Sequence, residues 1–189
     1  MSRVLFIRHA ETEMAGRFCG RSDPDLNAAG RAQTLSLVQQ LSAEPIDAVY
    51  SSDLRRASST AQAIASAREV PRLLRPALRE IDFGQWEGLS WKEIEQKDPD
   101  YAREWAARFP ELPAPEGEGF PAFEERVLAE VRPLLKETRR PVAVVTHAGV
   151  LRVALQHLCG CSASEAWEQT RSYCCVVRYE SSVIKGENI

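Results

Sequence analysis

Apolar residues in this chain fall into short unbroken runs, separated by longer stretches in which they recur about every 3.6 residues, and that alternation points to an α/β protein. Val4-Leu5-Phe6-Ile7 is the first such run and ends on Arg8-His9. An uninterrupted apolar run suits a strand buried on both faces, with its polar residues left at the carboxyl end. Ala28, Ala32, Leu35, Val38 and Leu41 lie near helical spacing behind Asn27, which predicts a helix over 27–41 with Asn27 as its N-cap. A second strand is expected at 46–50 and a second helix at 54–67, divided by the polar turn Ser51-Ser52-Asp53. Pro110, Pro113 and Pro115 rule out one continuous helix through 98–119, so a partly helical insertion is expected at about 89–119. A helix over 120–137, a clean parallel-type strand at 141–146 ending on His147, a helix over 150–158 and a last strand at 172–180 complete the pattern, with 181–189 a polar tail expected to fray.

A length of 189 residues with 44% hydrophobic content suits one domain, 1–189, with a full core. The formal charge of -3 provides no basic field for phosphate backbones, which argues against nucleic acid as a partner. No charged and then apolar leader pattern opens the sequence, and no apolar run approaches the roughly 20 residues that span a bilayer. The expectation is therefore a cytoplasmic protein with no membrane anchor. Cys19, Cys159, Cys161, Cys174 and Cys175 form an odd set without a repeating C-x-x-C pair and are read as reduced thiols. Cys174 and Cys175 fall in a strand-like run, where neighbours face opposite ways and cannot chelate one ion. With only three histidines, a His-rich metal site is hard to assemble, and none is expected.

Two strand-like runs far apart in sequence each end on a histidine, His9 and His147, and in a parallel sheet both would emerge at one edge. A lone histidine in that position is most often structural, but two of them beside Arg8 make a candidate site. Arg8-His9-Ala10-Glu11-Thr12 resembles the R-H-G-E-T signature of the histidine phosphatase superfamily, which includes the cofactor-dependent phosphoglycerate mutases. Further stretches follow in family order: 16–20 through Asp25-Leu26 and Gly30, Ser51-Ser52-Asp53-Leu54-Arg55-Arg56-Ala57 with Thr60-Ala61, 78–88 with its Phe83-Gly84-Gln85-Trp86-Glu87-Gly88, and Thr146-His147-Ala148-Gly149.

The resemblance implies a three-layer α/β/α sandwich with a mostly parallel central sheet, phosphoglycerate mutase-like. It implies no cofactor, and a histidine acid phosphatase-type phosphoric monoester hydrolase acting on a small-molecule phosphate ester. In that scheme His9 attacks phosphorus and becomes phosphohistidine. Nearby arginines favour the neutral imidazole that attack requires. Arg8 and Arg56 match the family's phosphate-gripping guanidiniums, His147 a donor to the developing phosphoryl charge, and Glu80 the proton donor. Arg55 is read as a surface charge. The chain departs from the pattern at Ala10, where the family has glycine, and at 13–16, where it lacks a phosphate-contacting asparagine. Backbone N–H groups at Cys19 and Gly20, or the Arg21 side chain, are the expected substitutes.

Mutases carry a longer insertion with paired arginines, and between Gly88 and Gly119 this chain has only Arg103 and Arg108. Hydrolysis is therefore expected over mutase-type phosphotransfer, with a non-catalytic phospho-ligand module as the remaining alternative. Residues 83–88 followed by 115–120, with Phe123, Arg126 and Val127, look most like α-ribazole phosphatases of the cobalamin pathway. Trp86, Trp91, Tyr101 and Trp105 could stack on a flat leaving group, but packing is the expected role. A homodimer is left open.

Overall fold

The computed structural model describes residues 2–137 and 140–181. Its strands β1 (Ser2–Arg8), β2 (Ala48–Ser51), β3 (Arg72–Leu74), β4 (Val142–Thr146) and β5 (Val176–Ser181) form one sheet in the order β3-β2-β4-β1-β5. The first four are mutually parallel, and β5 runs antiparallel along β1. Between them lie helices α1 (Ala28–Gln40), α2 (Arg55–Arg68), α3 (Trp91–Lys97), α4 (Pro99–Arg108), α5 (Phe120–Glu137), α6 (Ala148–Leu158) and α7 (Ala163–Thr170).

Strand alternation divides the apolar side chains between two cores. Val4, Phe6, Val142 and Val144 pack with Phe123 and Val127 of α5 and Leu151 of α6. Leu5, Ile7, Ala143 and Val145 pack with Leu37 of α1 and Ala57, Ala61 and Ile64 of α2. Helices on both faces of the sheet make the expected three-layer α/β/α sandwich, and they explain why β1 and β4 have no polar face. A third, smaller core gathers Trp86, Ile94, Ala102 and Ala114, with Phe18, Trp91, Tyr101 and Trp105 packed against it. The insertion thus carries α3 and α4 on its own aromatic cluster, and its tryptophans are chiefly packing residues.

Topology places the site. Strand β4, late in sequence, inserts between β1 and β2, with Arg8 opposite Thr146 and Ser51 opposite Val145. The next residues, His9, His147 and Ser52, therefore leave the sheet side by side at its carboxyl edge. His9 N donates to Thr146 O at 2.9 Å and Ser52 N to Val145 O at 3.2 Å, so the ladder continues into the site.

Asn27 caps α1 as expected, accepting from Gly30 N at 2.7 Å. Two elements had no sequence counterpart. Strand β3 is a three-residue edge strand, too short to show a period. Helix α7 opens with a Ser162–Glu165 capping box, a legible start signal. The last strand begins at Val176 rather than at residue 172, because Cys174 takes a left-handed φ of 54° in a turn before it. Cys174 and Cys175 still face different cores, one on each side of the sheet. The expected frayed tail lies outside the described residues from 182 onward. Among the described residues the five cysteines are free, and no helix is long and apolar enough to cross a membrane.

Candidate active site

His9 lies at the carboxyl end of β1, only 7% exposed, on the wall of a cavity of about 350 Å³. Its Nδ1 is 2.7 Å from the carbonyl oxygen of Ala10. A carbonyl can only accept, so Nδ1 carries the proton and the lone pair resides on Nε2. Burial first, and the positive charge of Arg56 second, hold its pKa well below 6.5, with Arg8 acting the same way. The ring is thus a neutral imidazole of fixed tautomer at neutral pH.

Behind it stands His147, 1% exposed, with ring centroids 5.0 Å apart. Its Nε2 lies 2.8 Å from Ser52 Oγ, which also accepts from Leu54 N. Burial first, then Arg56, with Arg8 and Arg126 acting the same way, hold its pKa well below 6.5 as well. Arg56, from the first turn of α2, is completely buried. Its terminal nitrogens donate to the carbonyls of Ser22 at 2.6 Å, Gly20 at 2.8 Å and Cys19 at 3.1 Å. Arg8 donates to the carbonyls of Thr170 and Arg171 beyond β5's turn, and its guanidinium lies 4.3 Å from the Tyr173 ring centroid. Arg8 Nε, Arg56 Nε and His147 Nδ1 are all buried without a hydrogen-bond partner among the described residues. Buried donors are normally paired. Three orphaned nitrogens on residues grouped about one imidazole are what an anion-binding centre leaves unmatched.

Glu80, 8% exposed, lines the same cavity. One carboxyl oxygen accepts from its neighbour Ile81 N at 3.0 Å and the other from Gly149 N at 2.9 Å, at the start of α6. The segment bearing it is clasped by Arg126 of α5, which donates to the carbonyls of Ala77, Arg79 and Glu80 and pairs with Glu118 at 2.7 Å. Next to it, Arg79 forms a two-pronged ion pair with Asp53. The Arg79 hydrogen bond most of all, with the charges of Arg79 and Arg21 behind it, pulls the Asp53 carboxyl below its usual range.

The substitutes expected for the missing asparagine are placed unevenly. Gly20 N and Arg21 N both donate to Glu87, at 3.0 and 2.8 Å, and so do Ser22 N and Phe83 N. That pairing removes the Gly20 and Arg21 amides from the free donors, while the Arg21 side chain reaches toward Glu118 at 3.6 Å. Cys19 does line the cavity, and its backbone N–H meets no acceptor among the described residues, whereas burial pushes its thiol up to about 11. Asn27 is no replacement either, since its amide is bound to Glu11 Oε1 and Thr12 O. Arg55 is on the surface, paired with Asp25.

The cavity also holds residues that sequence reasoning missed: Arg17, Arg152, Trp167 and Tyr173. Arg152 follows Ala148 by one helical turn on the same face of α6, a spacing that a closer reading of the His147 motif would have flagged. Trp167 comes with the unassigned α7, and Tyr173 carries no signal in the sequence.

The histidine phosphatase superfamily (branch 1) model matches residues 4–184. Phosphoserine phosphatase 1 of Hydrogenobacter thermophilus is 34% identical over 172 residues, covering 88% of this chain and 81% of that protein. The adenosylcobalamin/alpha-ribazole phosphatase of Escherichia coli is 32% identical over 168 residues, covering 87% and 83%. The crystal structure of the alpha-ribazole phosphatase from Shigella flexneri superposes with a TM-score of 0.86 at 29% identity, covering 96% of this chain and 91% of that one. On motif, fold and similarity alike, the chain belongs to the histidine phosphatase superfamily.

Proposed function

We propose that the protein is a metal-independent phosphomonoester hydrolase of the histidine acid phosphatase type, working through a phosphohistidine at His9. The observation that carries this reading is the neutral, tautomer-locked imidazole of His9 beside three orphaned buried nitrogens. In the first step Nε2 attacks phosphorus and the bond to the ester oxygen breaks. Glu80 passes its proton to the departing oxygen. In the second step water attacks phosphorus, the P–N bond breaks back to Nε2, Glu80 takes the water's proton, and inorganic phosphate leaves.

Arg8 and Arg56 hold the phosphoryl oxygens, each close charge pair contributing about 4 kcal/mol at 4 Å before desolvation. Ser52 Oγ, already accepting from Leu54, gives its own proton to His147 Nε2, which leaves an N–H at Nδ1 to meet the growing charge. Backbone amides hold Glu80 in the cavity wall, and no side-chain cation pairs with its carboxyl group among the described residues. The relatives' names supply two candidate alcohols, α-ribazole and serine, and the aromatic wall of Phe83, Trp91 and Tyr173 is compatible with the first.

The test is a substrate panel of p-nitrophenyl phosphate, α-ribazole 5'-phosphate, phosphoserine, and 3-phosphoglycerate with its bisphosphate primer. Hydrolysis is expected with a transient acid-labile phosphoenzyme, and His9→Ala should yield neither. Isomerisation outrunning hydrolysis would restore the mutase alternative, and binding without turnover the non-catalytic one.

A further inference from the structure

Arg152 lines the cavity with a charge for which the phosphate chemistry proposed above has no role. It projects from α6 into the cavity, one turn beyond Ala148, which also lines it. The same helix receives the Glu80 carboxylate at Gly149 N, so Arg152 stands on the side of the proposed proton donor. Its guanidinium is braced by neutral groups. Nε donates to Thr170 Oγ1 at 3.2 Å, and the plane lies over Trp167 at 3.9 Å from the ring centroid. Its two terminal nitrogens meet no acceptor, and no carboxylate lies within ion-pair range, among the described residues.

The other cavity arginines are engaged. Arg17 pairs with Glu93 at 2.8 Å and donates to Gly88 O, and Arg8 is held by two carbonyls near His9. Nor does Arg152 act on the nucleophile. The charges that lower His9 are Arg56 and Arg8, whereas the leading charge acting on Arg152 is Glu80. Burial opposes the unpaired Arg152 charge, a strain that a bound anion would relieve.

We infer that Arg152 docks a carboxylate on the alcohol part of the substrate, which makes the preferred class small phosphate monoesters bearing an acid group a few atoms from phosphorus. A planar fork held at Nε presents its remaining N–H groups to two oxygens in one plane, which suits a carboxylate. A lone guanidinium also balances one negative charge, whereas a second phosphate dianion would need another cation beside it. The inference rests on the phosphomonoesterase reading and names the leaving group it serves.

The decisive comparison is O-phosphoserine against phosphoethanolamine, which differ only in the carboxylate that phosphoserine carries and phosphoethanolamine lacks. In the wild-type protein kcat/KM should favour phosphoserine by about 10- to 100-fold, the range for one charge-assisted hydrogen-bonded contact. Arg152→Met, which keeps the apolar stem over Trp167, should bring that ratio close to one, and Arg152→Lys should leave an intermediate value. Because both esters are compared within the same variant, losses of folding or of shared phosphate chemistry cancel. A wild-type ratio near one, or a high ratio that survives in both variants, overturns the assignment of Arg152. Failure to turn over even p-nitrophenyl phosphate sinks the hydrolase reading instead, and the inference with it.

Discussion

Gly149→Ala isolates the placement of Glu80 from its chemistry. A β-carbon on residue 149 would lie 2.2 Å from Glu80 Oε1, 3.1 Å from Cδ and 3.3 Å from Oε2. Ordinary contact begins at 3.4 Å, and the crowded atom belongs to a carboxylate held from both sides by backbone amides. The carboxyl group therefore has to retreat by about 1 Å, a misplacement that costs on the order of 100-fold in rate when a reacting group must be aligned. The helix itself tolerates the change, since alanine is the better helix former by about 1 kcal/mol.

The assay is a series of aryl and alkyl phosphates whose leaving groups range from p-nitrophenol to simple alcohols. A departing p-nitrophenolate barely needs a proton, whereas an alkoxide needs one fully in hand. Loss in Gly149→Ala should concentrate on the alkyl esters and steepen the dependence of kcat on leaving-group basicity. Glu80→Gln, which keeps the shape and removes the acid, sets the limiting slope. Uniform slowing across the series, or alkyl ester hydrolysis at the wild-type rate, would refute the placement of the acid argued from Gly149.

The pH profile tests the nucleophile. The neutral imidazole attacks, and a pKa lowered by burial and Arg56 keeps it neutral further into acid, so the His9 limb of kcat/KM should fall below pH 6.5 once the substrate's own ionisation is divided out. Half-loss at or above 6.5 would contradict a depressed His9. Excess EDTA should leave the rate unchanged, because cationic side chains supply the charge that a metal would provide. Activity that vanished with chelator and returned with added metal would defeat that reading.

Much of the frame was legible because its signals are local. Val4 to Ile7 and Val142 to Val145 read as doubly buried strands because the sheet does bury them on both faces. His9 and His147 could be paired from sequence, since parallel strands must release their ends at one edge. Whether the strands are neighbours depends on the order β2-β4-β1, and that is a long-range choice no local pattern carries. The Gly20 amide illustrates the same limit. It was a sensible free donor until Glu87, over sixty residues away, was seen to accept from it. Arg152 and Trp167 went unread because their role depends on α7 folding back beside α6, where Thr170 meets the guanidinium.

The arginines near the site fall into two kinds, and the division follows from what an anion pocket requires. Arg79, Arg126 and Arg17 are matched by Asp53, Glu118 and Glu93, so their charges are largely offset by a partner and they serve chiefly as framing. Arg56, Arg8 and Arg152 are held instead by carbonyls, a hydroxyl and aromatic rings. Neutral acceptors fix a guanidinium in place but leave its charge to act on whatever enters the cavity. The charges of Arg56 and Arg8 add to burial in depressing the pKa of His9 and His147, and they are available to a phosphate when substrate arrives. Had carboxylates braced these three residues, the geometry could be the same, yet the nucleophile would be pushed toward imidazolium and the phosphate repelled. The choice of neutral braces at Arg56, Arg8 and Arg152 therefore links how the chain folds to why a metal is unnecessary for the proposed chemistry.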